Sequence, residues 1–395
     1  MRIAKIEAFV ISPEKAIGGY GRQQGGDRAA AKESWLVSTE VANPMSVYPR
    51  FKAHRDSWRP RWPEVGCLIT ADDGSWGFGT SVFGAPVVSI INDHIGPLLE
   101  GEDPSDIDRL WTMMMRLVSP YGASGLPVYA VSAIDLALWD LKGKQEGVPV
   151  YDLIGGPARN AITCYATGND TAWHMELGFT ATKLACPHGP ADGDVGLDAN
   201  EKLVSETRDL IGPDVKLMLD CWMAFDVDYT LQMAERLARY DLGWLEDCLI
   251  PEDIEAHHEL RGKMTDVPFA TGEHWYGVHP FVHAARHQLA DVFQPDICWA
   301  GGMTACLKIA DIAADAGIDV ILHAGMNTAY GQHFTLATAG SSMGELFIGS
   351  PPGVPLTETA RMPGVATALD GQIVPANAPG FGLELSLEDI SAMSS

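Results

Sequence analysis

VKLMLD (215–220), LGWLED (242–247), VPFATGE (267–273), DVFQPD (291–296) and IDVILH (318–323) are five apolar runs, each closing on an acid or a histidine. Short apolar runs of this kind read as buried strands. Asp220, Glu246, Glu273, Asp296 and His323 stand at their ends, with gaps of 26, 27, 23 and 27 residues. Each gap has room for one helix and its loops. TLQMAERLARY, HPFVHAARHQ and TACLKIADIAADAG supply helical patterns in three of them. Strands alternating with helices predict a parallel sheet with covering helices. Closed into a barrel, such a sheet brings the C-terminal ends of its strands to one mouth, where active sites are built. Five polar residues spread along the chain are therefore expected to converge.

Upstream, AITCYAT (161–167) and FTATKLA (179–185) extend the strand series, and EKLVSETRDLIG (201–212) adds a helix. YAVSAIDLALWDLKGKQEG (129–147) reads as an apolar helix stopped by Gly147. Before it the pattern differs. MRIAKIEAFVI (1–11) and GCLITADDGSWGFGTS (66–81) alternate apolar and polar residues, and Asp72-Asp73-Gly74 predicts a hairpin turn. Helical spacing returns over residues 88–118, where Met113, Met114 and Met115 read as core. Residues 16–64 have no period but carry Trp35, Tyr48, Phe51, Arg55, Trp58, Arg59 and Trp62, which suits a lid loop. The last 45 residues are rich in Pro and Gly and end near PGFGLELSLEDI.

Composition narrows the function. The chain has 395 residues, 46% hydrophobic and 20% charged, with a net charge of −25. A surface this acidic disfavours nucleic acid and anionic membranes as partners. No apolar run approaches the roughly 20 residues of a membrane helix, and the N-terminus reads as a strand instead of a signal peptide. Seven cysteines, scattered and without C-x-x-C, predict reduced thiols in a cytoplasmic protein.

Several carboxylates at one mouth suit a hard divalent cation bound through oxygen, Mg²⁺ above all. Without one, like charges would repel and raise one another's pKa values. Asp296 and His323 fall on neighbouring strands, so Asp296 can orient His323 as a general base. His279, His283 and His287 recur at every fourth position, which reads as one face of a helix, not as a zinc site.

These residues resemble the mandelate racemase subgroup of the enolase superfamily. SAIDLALWDLKGKQEGVPVYDLIGG, the three acids Asp220, Glu246 and Glu273, the Asp296/His323 pair and Glu345 in SSMGELF carry the likeness. Within the subgroup it runs most strongly to the L-rhamnonate dehydratases, through CYATGND, PHGPADGD, LMLDCWM, TGEHW, QPDICWAGG and PGFGLEL. The resemblance implies a modified TIM-type (β/α)7β barrel (126–345). It also implies an α+β capping domain built from residues 1–125, with the lid at about 16–64, and from the returning segment 346–395. It implies Asp220, Glu246 and Glu273 as Mg²⁺ ligands, His323 and Asp296 as the catalytic pair, and Lys183 and Glu345 beside the developing charge. Trp35, Arg59, Trp222 and His274 are the candidate substrate contacts. The family also implies a homo-oligomer, dimer or octamer.

Racemases of the subgroup carry K-x-K on the second barrel strand, whereas this chain has Lys183-Leu184-Ala185. With one face lacking a base, the expected reaction is loss of water from a sugar acid, not racemisation. Ser34-Trp35 and Ala324-Gly325-Met326-Asn327 depart from the L-rhamnonate dehydratase pattern, so L-lyxonate, L-mannonate and L-galactonate stay open as substrates. Racemase, epimerase or cycloisomerase chemistry is the enzymatic alternative, and a catalytically silent binding protein the other.

Overall fold

The computed structural model describes residues 1–12, 40–52, 58–264 and 266–394. Three strands, β1 (Ile3–Val10), β2 (Val65–Ala71) and β3 (Trp76–Ser81), form an antiparallel sheet in that order. The turn expected at Asp72-Asp73-Gly74 joins β2 to β3. The Gly74 amide donates to the Ala71 carbonyl at 3.0 Å. Gly74 has φ of 86°, a left-handed conformation that glycine adopts without steric penalty.

The helix Leu126–Glu146 lies on this sheet, buried over most of its circumference. Its backbone comes so close that a Cβ on Gly77 or Gly79 would fall 2.1 Å from the Ala137 or Ala133 carbonyl oxygen. Glycine in β3 is thus required by packing. The helix stops at Gly147, whose φ is 70°.

The barrel follows. Its strands are β4 (Ile162–Thr167), β5 (Ala181–Ala185), β6 (Lys216–Asp220), β7 (Leu242–Glu246), β8 (Phe269–Thr271), β9 (Val292–Phe293), β10 (Asp319–Val320) and β11 (Gly344–Phe347). Each is parallel to the next from β4 to β10, and β11 pairs in parallel with β4. Seven helices alternate with these eight strands, the (β/α)7β pattern. A short strand, β12 (Gln372–Ile373), runs antiparallel to β4.

Seven strands contribute to the interior. Tyr165, Ala181, Met218, Trp244, Ala270, Val292 and Ile321 form one buried cluster, with one residue on or beside each of β4 to β10. This layer plugs the barrel below its mouth, so polar groups further along the strands sit on an apolar floor.

Asp140 ties three parts together. Its carboxylate accepts from the Phe78 amide at 2.9 Å and the Phe381 amide at 3.0 Å, and pairs with Lys144 at 2.7 Å. Phe78 belongs to β3 and Phe381 to PGFGLEL, so one buried acid joins the N-terminal sheet, the long helix and the tail. The tail then reaches β1's end, where the Ser12 amide donates to Met393. Asp140→Ala leaves two buried amides without their acceptor. It is expected to destabilise the protein by about 3 kcal/mol, read from the urea midpoint, and an unchanged midpoint would show the clamp to be dispensable.

Candidate active site

The residues singled out at strand ends converge. Asp220 and Glu246 end β6 and β7, Glu273 lies just past β8, Asp296 past β9 and His323 past β10. Lys183 comes from β5 and Glu345 from β11. Lys183 is fully buried, as are Glu246, Glu273 and Glu345 within a few per cent.

Lys183 holds the centre of this group. Its Nζ contacts Glu246 Oε1, lies 2.7 Å from Glu345 Oε1 and 3.7 Å from Asp220 Oδ2. Burial alone would strip its proton, but the carboxylates Glu246 and Glu345 raise its pKa well above the ordinary lysine value. Glu345 shows the converse. Burial would raise its carboxyl, yet the charges of Lys183 and His323 hold it down to about 2. Both its oxygens accept: Oε1 from Thr167 at 2.5 Å and from Lys183, Oε2 from the Ala324 amide at 2.8 Å. Glu246 is braced likewise, its Oε2 accepting from Trp244 Nε1 at 2.8 Å and Gln294 Nε2 at 2.7 Å.

His323 faces the same space. Its Nδ1 lies 2.8 Å from Asp296 Oδ2, and Asp296 Oδ1 accepts from the Cys298 amide at 2.7 Å. The carboxylate fixes the proton on Nδ1, so Nε2 is the nitrogen available for chemistry. Nε2 lies 3.4 Å from Glu273 Oε2, and the side chain keeps 21% exposure, an opening toward the mouth. Burial works against protonation of this ring. The Glu273 charge and the Asp296 hydrogen bond outweigh it and raise its pKa to about 10. Trp299 packs on the ring, centroids 4.8 Å apart.

The donor set suits a hard cation. Asp220, Glu246 and Glu273 offer only oxygen, and one lysine does not neutralise them together with Glu345. Glu273 Oε2 is buried and accepts no hydrogen bond among the described residues, and its cationic neighbour is the His323 ring at 3.4 Å. The acids are not drawn tight, however. The described groups with three ligand atoms within 4.8 Å of one another are Asp247, Glu273 and His274, and a histidine cluster elsewhere. In the expected triad Lys183 occupies the space between Glu246 and Asp220.

The remaining candidates divide. His274 Nδ1 lies 3.0 Å from Asp247 Oδ2 and 3.1 Å from Glu273 Oε1, which places it at the mouth. Arg59 stacks over Trp222 at 5.7 Å, and Trp58 packs on the same ring at 6.0 Å. Trp222 follows Asp220 by two positions, so this pair borders the acids. Trp35 and much of the expected lid fall outside the described residues. Ala185 adds no acid or base, and its backbone is tied at both ends to Asn169.

Sequence reading missed Asp247, Thr167, Gln294, Trp244 and Trp299. Asp247 and Gln294 had a signal, being polar residues inside LGWLED and DVFQPD, but nothing local said which acid of Glu246-Asp247 faced inward. Thr167, Trp244 and Trp299 had no chemical mark of their own.

A model of the family described as Enolase C-terminal domain-like matches residues 170–390, and one of the mandelate racemase / muconate lactonizing enzyme N-terminal domain matches 65–155. The chain belongs to the mandelate racemase subgroup of the enolase superfamily. A relative from Saccharopolyspora erythraea, L-rhamnonate dehydratase, is 35% identical over 98% of this chain and 97% of its own length. A crystal structure of rhamnonate dehydratase from Gibberella zeae complexed with Mg superposes with a TM-score of 0.90 at 31% identity, covering 99% of this chain and 96% of that one. A second structure of L-rhamnonate dehydratase from the same organism gives 0.88 at 30% identity, covering 99% of this chain and 95% of that one.

In metal-free protein His323 should keep its second proton through neutral pH and lose it near 10. Asp296→Asn removes a raising partner, so the midpoint should fall by about one unit or more, read by NMR of the ring. A midpoint unmoved by that change would detach Asp296 from His323.

Proposed function

We propose that this enolase-superfamily chain is a Mg²⁺-dependent acid-sugar dehydratase acting on an aldonic acid of the L-rhamnonate kind. The observation that carries this reading is the His323/Asp296 pair. Its available nitrogen faces a cluster of buried carboxylates, while the opposite strand presents Ala185 where a second base would stand. The L-rhamnonate dehydratases among its relatives support the same class.

Asp220, Glu246 and Glu273 would hold Mg²⁺, which when bound supplies positive charge for the substrate carboxylate and cancels the Glu273 charge that keeps a proton on His323. His323 Nε2 takes the C2 proton, and the C–H electron pair moves into the carboxylate as an enediolate. Lys183 presents a fixed ammonium toward that growing charge, positioned by Glu345, which Thr167 and the Ala324 amide hold in turn. Charge already arranged for the transition state costs no reorganisation during reaction. The electron pair then returns, the C3–O bond breaks, and the His323 proton leaves with the hydroxyl as water. The enol formed tautomerises to a 2-keto-3-deoxy acid. Trp222, Arg59 and His274 line the approach for the sugar, with Trp35 as the further candidate from the lid.

No helix of the described residues is long and apolar enough to cross a membrane. All seven cysteines are free and buried, in keeping with a reducing cytoplasm. The assembly is proposed as a homo-oligomer, dimer or octamer.

Purified protein with Mg²⁺ is expected to form 2-keto acid from at least one member of a panel containing L-rhamnonate, L-lyxonate, L-mannonate and L-galactonate. Proton exchange with solvent at C2 without loss of water would replace this reading by a racemase or epimerase. Turnover of none of a broad set of aldonic and aldaric acids would overturn it altogether. His323→Asn should lower kcat by about 10²–10⁴-fold while Mg²⁺ still binds. Glu246→Gln should weaken Mg²⁺ binding by about tenfold or more, measured by calorimetry.

A further inference from the structure

His279, His283 and His287 share one helix, His279–His287, and their spacing alone suggested a common face. The tertiary structure regroups them. His283 and His287, one turn apart, meet His258 from the neighbouring helix Ile254–Lys263. His258 Nε2 lies 3.0 Å from His283 Nε2. The ring centroids of His258 and His287 are 4.8 Å apart, and those of His283 and His287 4.6 Å. One ligand nitrogen from each of the three lies within 4.8 Å of the other two. His258 and His283 are half-buried and His287 is exposed, so the group opens to solvent on the outer helical layer.

A cluster of edge-on and tilted rings sharing one N–H···N bond is the plainer account. It explains the His258–His283 contact but does not account for a nitrogen of His287 also lying within 4.8 Å of both. Protonated, the three rings would repel one another. Burial, the neighbours His287 and His258, and Arg286 all lower the pKa of His283, which favours the neutral ring that a metal requires. Arg286 opposes a bound cation, and Glu255, within electrostatic reach of His283, offsets it.

The distances fit a metal of the zinc type. Zn–N bonds of about 2.0–2.1 Å in a tetrahedron separate the nitrogens by about 3.4 Å. That value lies between the 3.0 Å contact seen here and the 4.8 Å limit of the group. His287 is exposed at the helix end, so its ring is free of packing that would hold the longer separations fixed. Imidazole selects Zn²⁺ and related transition ions, whereas Mg²⁺ prefers oxygen.

We propose that His258, His283 and His287 form a second metal site, selective for a Zn²⁺-like divalent ion, that clips helix Ile254–Lys263 to helix His279–His287. Three protein ligands leave the fourth tetrahedral position to water. The site uses none of the residues assigned to dehydration, so it stands whether or not that assignment holds.

The test is calorimetric titration of the full chain with ZnCl2 in saturating MgCl2, which keeps the carboxylate site filled. One Zn²⁺ per chain is expected. His283→Ala and His287→Ala should each weaken it by about tenfold or more, since loss of a direct ligand costs at least what loss of an outer partner does. The rise in thermal midpoint on adding Zn²⁺ should shrink in both variants. Turnover in Mg²⁺ should not change. His287 is exposed, so His287→Ala remains a fair test if His283→Ala folds poorly. Equal Zn²⁺ affinity in wild type and His287→Ala would overturn the proposal. So would Zn²⁺ binding that survives both histidine changes and disappears in Glu273→Gln, which would assign the ion to the carboxylates.

Discussion

The buried ammonium of Lys183 and the acids around it set the terms for the rest of the barrel mouth. A lysine with no exposed surface keeps its charge because Glu246 and Glu345 touch it and Asp220 stands 3.7 Å away. At such separations a pair of unit charges interacts by about 4 kcal/mol even at an effective dielectric of 20, so each member depends on the others. The balance is still negative. Glu273 and Asp296 add further carboxylates, and His323 absorbs part of the excess as a proton on its ring. Such an excess of buried negative charge favours the binding of a cation. The fold supplies that charge by ending consecutive strands on acids.

Backbone strain gathers at the same rim. Trp222, Met223, Asp247 and Ala324 all have positive φ, between 40° and 59°. For residues with a side chain this costs on the order of 1 kcal/mol each. Asp247 and Ala324 directly follow Glu246 and His323, Trp222 and Met223 follow Asp220 within three positions, and hydrogen bonds to residues of the site hold three of the four. The Trp222 amide donates to Asp220 Oδ1, the Met223 amide to the Asp247 carbonyl, and the Ala324 amide to Glu345 Oε2. The sharp exits from β6, β7 and β10 turn the chain away so that the preceding acid or histidine can face inward. Strain and side-chain orientation are therefore one feature.

The rim is also where the N-terminal part reaches the barrel. The Ala42 amide donates to the Cys186 carbonyl at 2.7 Å, just past β5, and Lys52 pairs with Asp192. Arg59 and Trp58 then lie on Trp222. On the other side Asp135, within the long helix, accepts from the Thr304 amide at 2.9 Å and from its hydroxyl at 2.6 Å. The sheet and helix of the cap are thus fixed to the barrel on both flanks. The acids and His323 thus stand on strand ends of the barrel, while Trp58 and Arg59 of the N-terminal part cover Trp222 beside them.

The sequence by itself determined the barrel, the hairpin at Asp72–Gly74, the helix stopped by Gly147, and the identity of the strand-end residues. These are periodic or local properties. A buried strand must be apolar, a left-handed turn favours glycine, and residues one β–α unit apart must share a mouth. Tertiary structure alone decided which groups touch. It put Lys183 between Glu246 and Asp220, turned Asp247 toward His274, and braced Glu246 with Gln294 and Trp244. It exchanged His279 for His258 in the histidine cluster. Such contacts depend on strand register, rotamers and the angle between neighbouring helices. Those are settled by packing among residues far apart in the chain, where spacing along the sequence carries no information.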